Sequence, residues 1–217
     1  MPPAFDKAGS PFRLPWGGSD VNQSDLFSYL SAFVTIVLAV ALGDMIQSTH
    51  RLIRARRRVK WDVVPLIFAA TVAAGVASEF FSLWDTFAVP KITFWRLIWM
   101  LIVPTLYALL AYAALPDEIP SEGLDLTKFY SDERRSWVIY YGLAIVLDMI
   151  RSLEFLAHNP DWVIEYLKYV APRIPFYAVA LTFMWIGRSR RWDVVGVVLL
   201  AAMSFYGMSS WTISLRS

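Results

Sequence analysis

Apolar residues in this chain run in blocks separated by short polar segments. Six blocks stand out, at about 26–46, 61–84, 92–115, 137–157, 170–186 and 192–215. Each is close to the roughly 20 residues a helix needs to cross the hydrocarbon core of a bilayer. No segment alternates with period two, so barrel strands are not predicted. Helices are then the remaining way to satisfy every backbone group in lipid. The predicted fold is all-α: a polytopic membrane protein with a six-transmembrane-helix bundle over residues 25–217. An N-terminal arm, residues 1–24, precedes it and is rich in Pro, Gly and polar residues.

Composition agrees with the pattern. Of 217 residues, 57% are hydrophobic and only 18% are charged, and the mean hydropathy is +0.48. A soluble domain rarely carries so much apolar surface. The expectation is one bundle with no separate soluble domain and no cleavable signal peptide in the arm, which lacks a basic start leading into an apolar run.

Charge supplies a predicted orientation. The net charge of +2 conceals strong segregation: Arg51, Arg54, Arg56, Arg57, Arg58 and Lys60 follow the first block, and Arg188, Arg190 and Arg191 follow the fifth. Basic loops favour the cytoplasmic side, so both sets are expected there and both termini outside, in a plasma (inner) membrane. The six basic residues after the first block are expected to contact anionic lipid headgroups, from a helix extension or a loop. Tryptophan prefers the interface. Trp61, Trp137, Trp185 and Trp192 are predicted to form a cytoplasmic belt, with Trp84, Trp95, Trp162 and Trp211 near the outer ends. The mixed stretch 161–169 reads as an interfacial helical turn.

Two pairs of phrases recur. Asp44-Met45-Ile46-Gln47-Ser48 resembles Asp148-Met149-Ile150-Arg151-Ser152, and Trp61-Asp62-Val63-Val64 matches Trp192-Asp193-Val194-Val195. The first pair relates oppositely directed helices, as in an inverted repeat. The second relates helices of the same direction, so one duplication does not generate both. The second is also ordinary membrane grammar, since an acid at a helix N-terminus complements the helix dipole.

The chemistry resides in ionisable residues within apolar helices, which are costly and need partners. Glu79, Arg96, Asp148, Arg151 and Glu154 have mixed signs, and all but the mid-membrane Asp148 share the outer half of the predicted bilayer. They are expected to form one interhelical charge cluster facing the bundle interior. Asp148, Arg151 and Glu154 recur every third residue, which places neighbours within reach on one helix. Asp44 is a secondary polar site near the cytoplasmic end of the first span, expected to cap the helix or meet Arg135 or Arg188.

Other chemistry is not indicated. There are no cysteines, which removes disulfides and thiolate catalysis. His50 and His158 fall on opposite predicted faces, so no haem or metal site is expected. Ala41-Leu42-Gly43-Asp44 lacks the first glycine of the Gly-x-Gly-Asp motif of intramembrane aspartyl proteases, and Asp148 lacks the tyrosine that precedes their other acid. No phosphate loop, serine–histidine pair or nucleic-acid surface is read. No cofactor is expected and no enzymatic activity. Two function classes remain. The first is a non-enzymatic accessory or structural subunit that packs in a larger membrane assembly or homo-oligomer. The second is a small transporter or channel for a proton, ion or small solute that uses the intramembrane carboxylates and arginine.

Overall fold

A computed structural model describes residues 23–86, 94–158, 162–187 and 189–209. Seven α-helices follow in order among them: α1 (Gln23–Arg54), α2 (Val63–Thr86), α3 (Phe94–Ala114), α4 (Leu126–His158), the short α5 (Trp162–Glu165), α6 (Arg173–Ile186) and α7 (Arg190–Ser209). A π-helical turn, Tyr166–Val170, lies between α5 and α6. Three helices are long and apolar enough to cross a membrane, over Ser28–Arg54, Val63–Ser82 and Leu126–Leu153, and shorter apolar stretches occupy Ile98–Ala114 and Arg173–Ile186. This pattern is compatible with a multi-pass membrane protein.

The hydrophobic stripe of α1 explains why it continues past the end of its apolar block. Val34, Leu38, Ala41, Met45, Ser48 and Leu52 are buried. Their alternating spacing of four and three is the knobs-into-holes period of left-handed helix packing. The stripe is unbroken through Leu52, so Arg51 and Arg54 are helical, and the polar loop begins only at Ala55. At 1.5 Å per residue, the 32 residues of α1 and the 33 of α4 each span about 50 Å, well beyond a hydrocarbon core of about 30 Å. Both surpluses lie at the end of the bundle that carries the basic residues.

A two-residue parallel ladder joins these surpluses, which the absence of alternating segments did not predict. Val59-Lys60 (β1) pairs with Leu124-Asp125 (β2). Gly123 has φ +105, and a Cβ there would lie 2.6 Å from the Arg58 carbonyl oxygen, so only glycine allows this approach. Asp125 then caps α4, accepting from the amides of Thr127 at 2.8 Å and Lys128 at 3.3 Å. Its Oδ2 also meets Lys60 Nζ at 2.8 Å, and this hydrogen bond, with the two amides, holds the carboxyl at about 2.

The central helix is α2, which packs against α1, α3, α4 and α7 and is buried around most of its circumference. Gly75 admits the Tyr107 ring of α3, and Gly196 lets α7 approach the α6 backbone at Ala180. Trp137 is not part of an interfacial belt. It is fully buried, stacked on Phe68 with ring centroids 4.1 Å apart, and donates through Nε1 to the Ala113 carbonyl at 2.7 Å. The extension of α4 moves the end of the bundle beyond Trp137 and converts it to a core anchor for α2, α3 and α4. Trp61, Trp185 and Trp192 are about half exposed, in keeping with an amphipathic belt. Residues 1–22 and Trp211 lie outside the described residues, as do the side chains of Trp84, Trp95 and Trp162. The helical turn expected at 161–169 corresponds to α5 and the π-helical turn.

Replacing Trp137 with Ala is expected to cost about 3 kcal/mol, the cavity penalty for a large aromatic. Trp137→Phe retains the stacking, leaves the Ala113 carbonyl unpaired and costs about 1 kcal/mol. Thermal unfolding of the detergent-solubilised protein checks the ranking; equal losses contradict a stacking role.

Candidate functional site

A cluster of opposite charges connects α2 to α4. The Glu79 side chain on α2 is buried, with 9% of its surface exposed, and its Oε2 lies 3.4 Å from Arg151 Nη1 on α4. Arg151 Nη2 reaches Asp148 Oδ1 at 2.5 Å, one helical turn earlier. The side chains of Asp148 and Arg151 are 46% and 37% exposed. Ser82 donates to the Glu79 carbonyl at 2.9 Å and approaches its Oε2 at 3.3 Å. One guanidinium thus serves two carboxylates, using the fixed fork of donors that arginine has and lysine lacks.

Three of the five residues expected in this cluster therefore meet: Glu79, Asp148 and Arg151. Arg96 lies in the first turn of α3 and Glu154 near the end of α4, but their side chains lie outside the described residues. Tyr107 of α3 is a neighbour of all three charges, and other tyrosines link the surrounding helices. Tyr107 lies over Gly75, one turn before Glu79, and Tyr141 on α4 shares a 2.9 Å hydrogen bond with Ser204 on α7. Arg173 on α6 lies over the Tyr206 ring, 5.5 Å from its centroid.

A second cluster, at the basic end, was not anticipated. Asp62 caps α2, accepting from the Val64 amide at 2.9 Å, and is also paired with Arg190 of α7. Asp193, buried in the first turn of α7, faces Arg134 of α4 at 3.6 Å. Arg134 also donates to the Gly187 carbonyl at the C-terminus of α6, at 3.3 Å. The Arg190 guanidinium stands 5.0 Å from the centroid of the Tyr130 ring. The repeated Trp-Asp-Val-Val phrase was the signal. Its two copies open α2 and α7, which pack together, and Arg190, two residues before the second copy, bonds the aspartate of the first.

The two clusters are in register. Seventeen residues separate Asp62 from Glu79, and seventeen separate Arg134 from Arg151, a rise of about 25 Å on each helix. The helices α2 and α4 run in the same direction and are tied at both levels, directly at one and through α7 at the other.

The remaining sites separate by environment. Asp44 is half-buried on α1, with Asp117 and Arg51 as charged neighbours. Arg51 donates to the Asp117 carbonyl and, at 2.7 Å, to Gln47 Oε1. Lys60 is paired with Asp125. Arg54, Arg56, Arg57 and Arg58 are exposed. No protein-family model matches the chain, and no curated protein or solved structure shows significant similarity to it.

Proposed function

We propose that this chain is a six-span, non-enzymatic protein of a plasma (inner) membrane, packing as an accessory or structural subunit in a larger membrane assembly. In this reading the basic end is cytoplasmic, facing anionic headgroups, and both termini are extracytoplasmic. The segregated arginines support that orientation. α7 is then the sixth span, and α3 and α6 the third and fifth.

The observation carrying the reading is the face of α1 that no described residue covers. Tyr29, Phe33, Ile36, Val40 and Ile46 are exposed, Tyr29 at 75% and Ile46 at 69%. Ala39 and Gly43 lie among them, four residues apart and exposed. A Cβ added at Gly43 would meet nothing within 4 Å, whereas Cβ atoms at Gly75 and Gly196 would strike neighbouring helices. Glycine inside a helix costs about 1 kcal/mol relative to alanine, and lipid gains nothing from it. A second helix approaching closely at a small-xxx-small surface does.

The chain has no native cysteine, so Ala39→Cys is a clean probe. Cross-linking of native membranes is expected to give one discrete higher-mass adduct from Ala39→Cys and none from Ile150→Cys on the exposed face of α4. No adduct at either position, or the same ladder from both, contradicts the assembly reading.

A second reading, a small transporter or channel for a proton, ion or small solute, is favoured by one observation. Asp148 and Arg151 are partly open while Glu79 behind them is buried, the arrangement of a carboxylate path entered from one side. On that reading, proteoliposomes with Asp148→Asn show at least a tenfold loss of proton or cation flux. Absent or unchanged flux removes it.

A further inference from the structure

The geometry points to a lipid-headgroup site on the turn that ends α1, formed by Arg54, Arg56, Arg57 and Arg58 and taking a lipid that carries two phosphates. The inference rests on the reading that the basic end lies at a membrane surface, and it narrows a general basic stretch of six residues to four.

Arg51 and Lys60 are excluded because their donors are used within the fold. Arg51 is committed to Asp117 and Gln47, and Lys60 to Asp125. Arg54, Arg56, Arg57 and Arg58 make no ion pair among the described residues. Four arginines within five residues, without counter-charge among the described residues, repel one another, which an anion relieves.

The turn is built rather than merely charged. The Ala55 amide donates to the Arg51 carbonyl at 3.0 Å, Arg56 to Ile53 at 3.3 Å and Arg58 to Ala55 at 2.7 Å. Beyond the turn, the Arg58 carbonyl accepts from the Leu124 amide at 3.0 Å, the approach that Gly123 permits, and Val59-Lys60 is held in the ladder. The backbone carrying the arginines is therefore fixed on both sides, so binding an anion orders side chains alone.

The four arginines, with Ile53 and Ala55, border a shallow, open depression at the surface. Guanidinium pairs phosphate bidentately, and four guanidiniums match two phosphates at two each. Ile53 is 53% exposed and lies at the end of a helix long and apolar enough to cross a membrane, so it places apolar surface beside the charges. That combination fits a headgroup with its acyl chain better than a soluble anion.

Native mass spectrometry of the delipidated full chain in detergent tests the site, with diphosphatidylglycerol, phosphatidylglycerol, phosphatidylcholine and inorganic pyrophosphate as probes. The expected result is one diphosphatidylglycerol retained at a concentration at least tenfold lower than phosphatidylglycerol requires, with no phosphatidylcholine retained. Arg56→Gln/Arg57→Gln is expected to weaken that binding at least tenfold, and Lys60→Gln to leave it unchanged while lowering the unfolding temperature. Unweakened binding by the double variant overturns the site, as does equal retention of all lipids. Competition by pyrophosphate at concentrations matching the lipid overturns its assignment to a lipid. Cross-linking at Ala39→Cys is unaffected by the double variant, so failure of this site is distinguishable from failure of the assembly reading.

Discussion

A carboxylate withdrawn from water must meet a positive charge or lose its own. Glu79 is in that position, on the most enclosed helix of the bundle, and Arg151 meets it from α4. The pair sets where α2 can lie along α4, because a shift of one residue moves the partners by about 1.5 Å and rotates them by about 100° apart on each helix. Buried ion pairs are weak contributors to net stability compared with well-packed apolar residues, but breaking one by removing a single partner is costly. Their effect is therefore on register, and a second set of charges at the basic end repeats it through Asp62, Arg190, Asp193 and Arg134.

Between these levels, packing of α2 by small and aromatic side chains does the rest. Gly75 seats Tyr107, Phe68 stacks on Trp137, and Gly196 brings α7 against α6. The basic end is then closed by capping and a short ladder, in which Asp125 serves both as helix cap and as the partner of Lys60. Apolar faces of α1, α4, α6 and α7 stay exposed among the described residues; the outer side of α1 differs in that an interior glycine, Gly43, has open space around it.

The helices were legible because lipid imposes a length and forbids exposed backbone; hydropathy alone placed the apolar blocks close to the observed elements. The contact of Arg151 with Glu79 follows their shared predicted depth and opposite sign, and its contact with Asp148 follows the spacing of three along one helix. The surplus turns of α4 were not legible, since they are polar in composition; after the first block a helix extension and a loop were both open, and the buried stripe through Ser48 and Leu52 shows that α1 continues. Trp137 misled for the same reason: an indole beside Arg134 and Arg135 reads as interfacial until α4 is known to extend eleven residues before it. The basal cluster was hidden because each of its aspartates has a sufficient local explanation as an acid near a helix N-terminus. Their cross-pairing is a property of how α2, α4 and α7 meet, which spacing along one chain does not encode.

The most direct test of this account is a double-mutant cycle on Glu79 and Arg151, read as unfolding free energy of the solubilised protein. Glu79→Gln and Arg151→Gln each are expected to cost about 2 kcal/mol, less than the about 3–5 kcal/mol of a fully enclosed pair because the Arg151 side chain is 37% exposed. The double variant is expected to cost clearly less than their sum, since each single change strands the other charge. Strict additivity of the two losses would contradict the claim that this contact sets the register of α2 and α4.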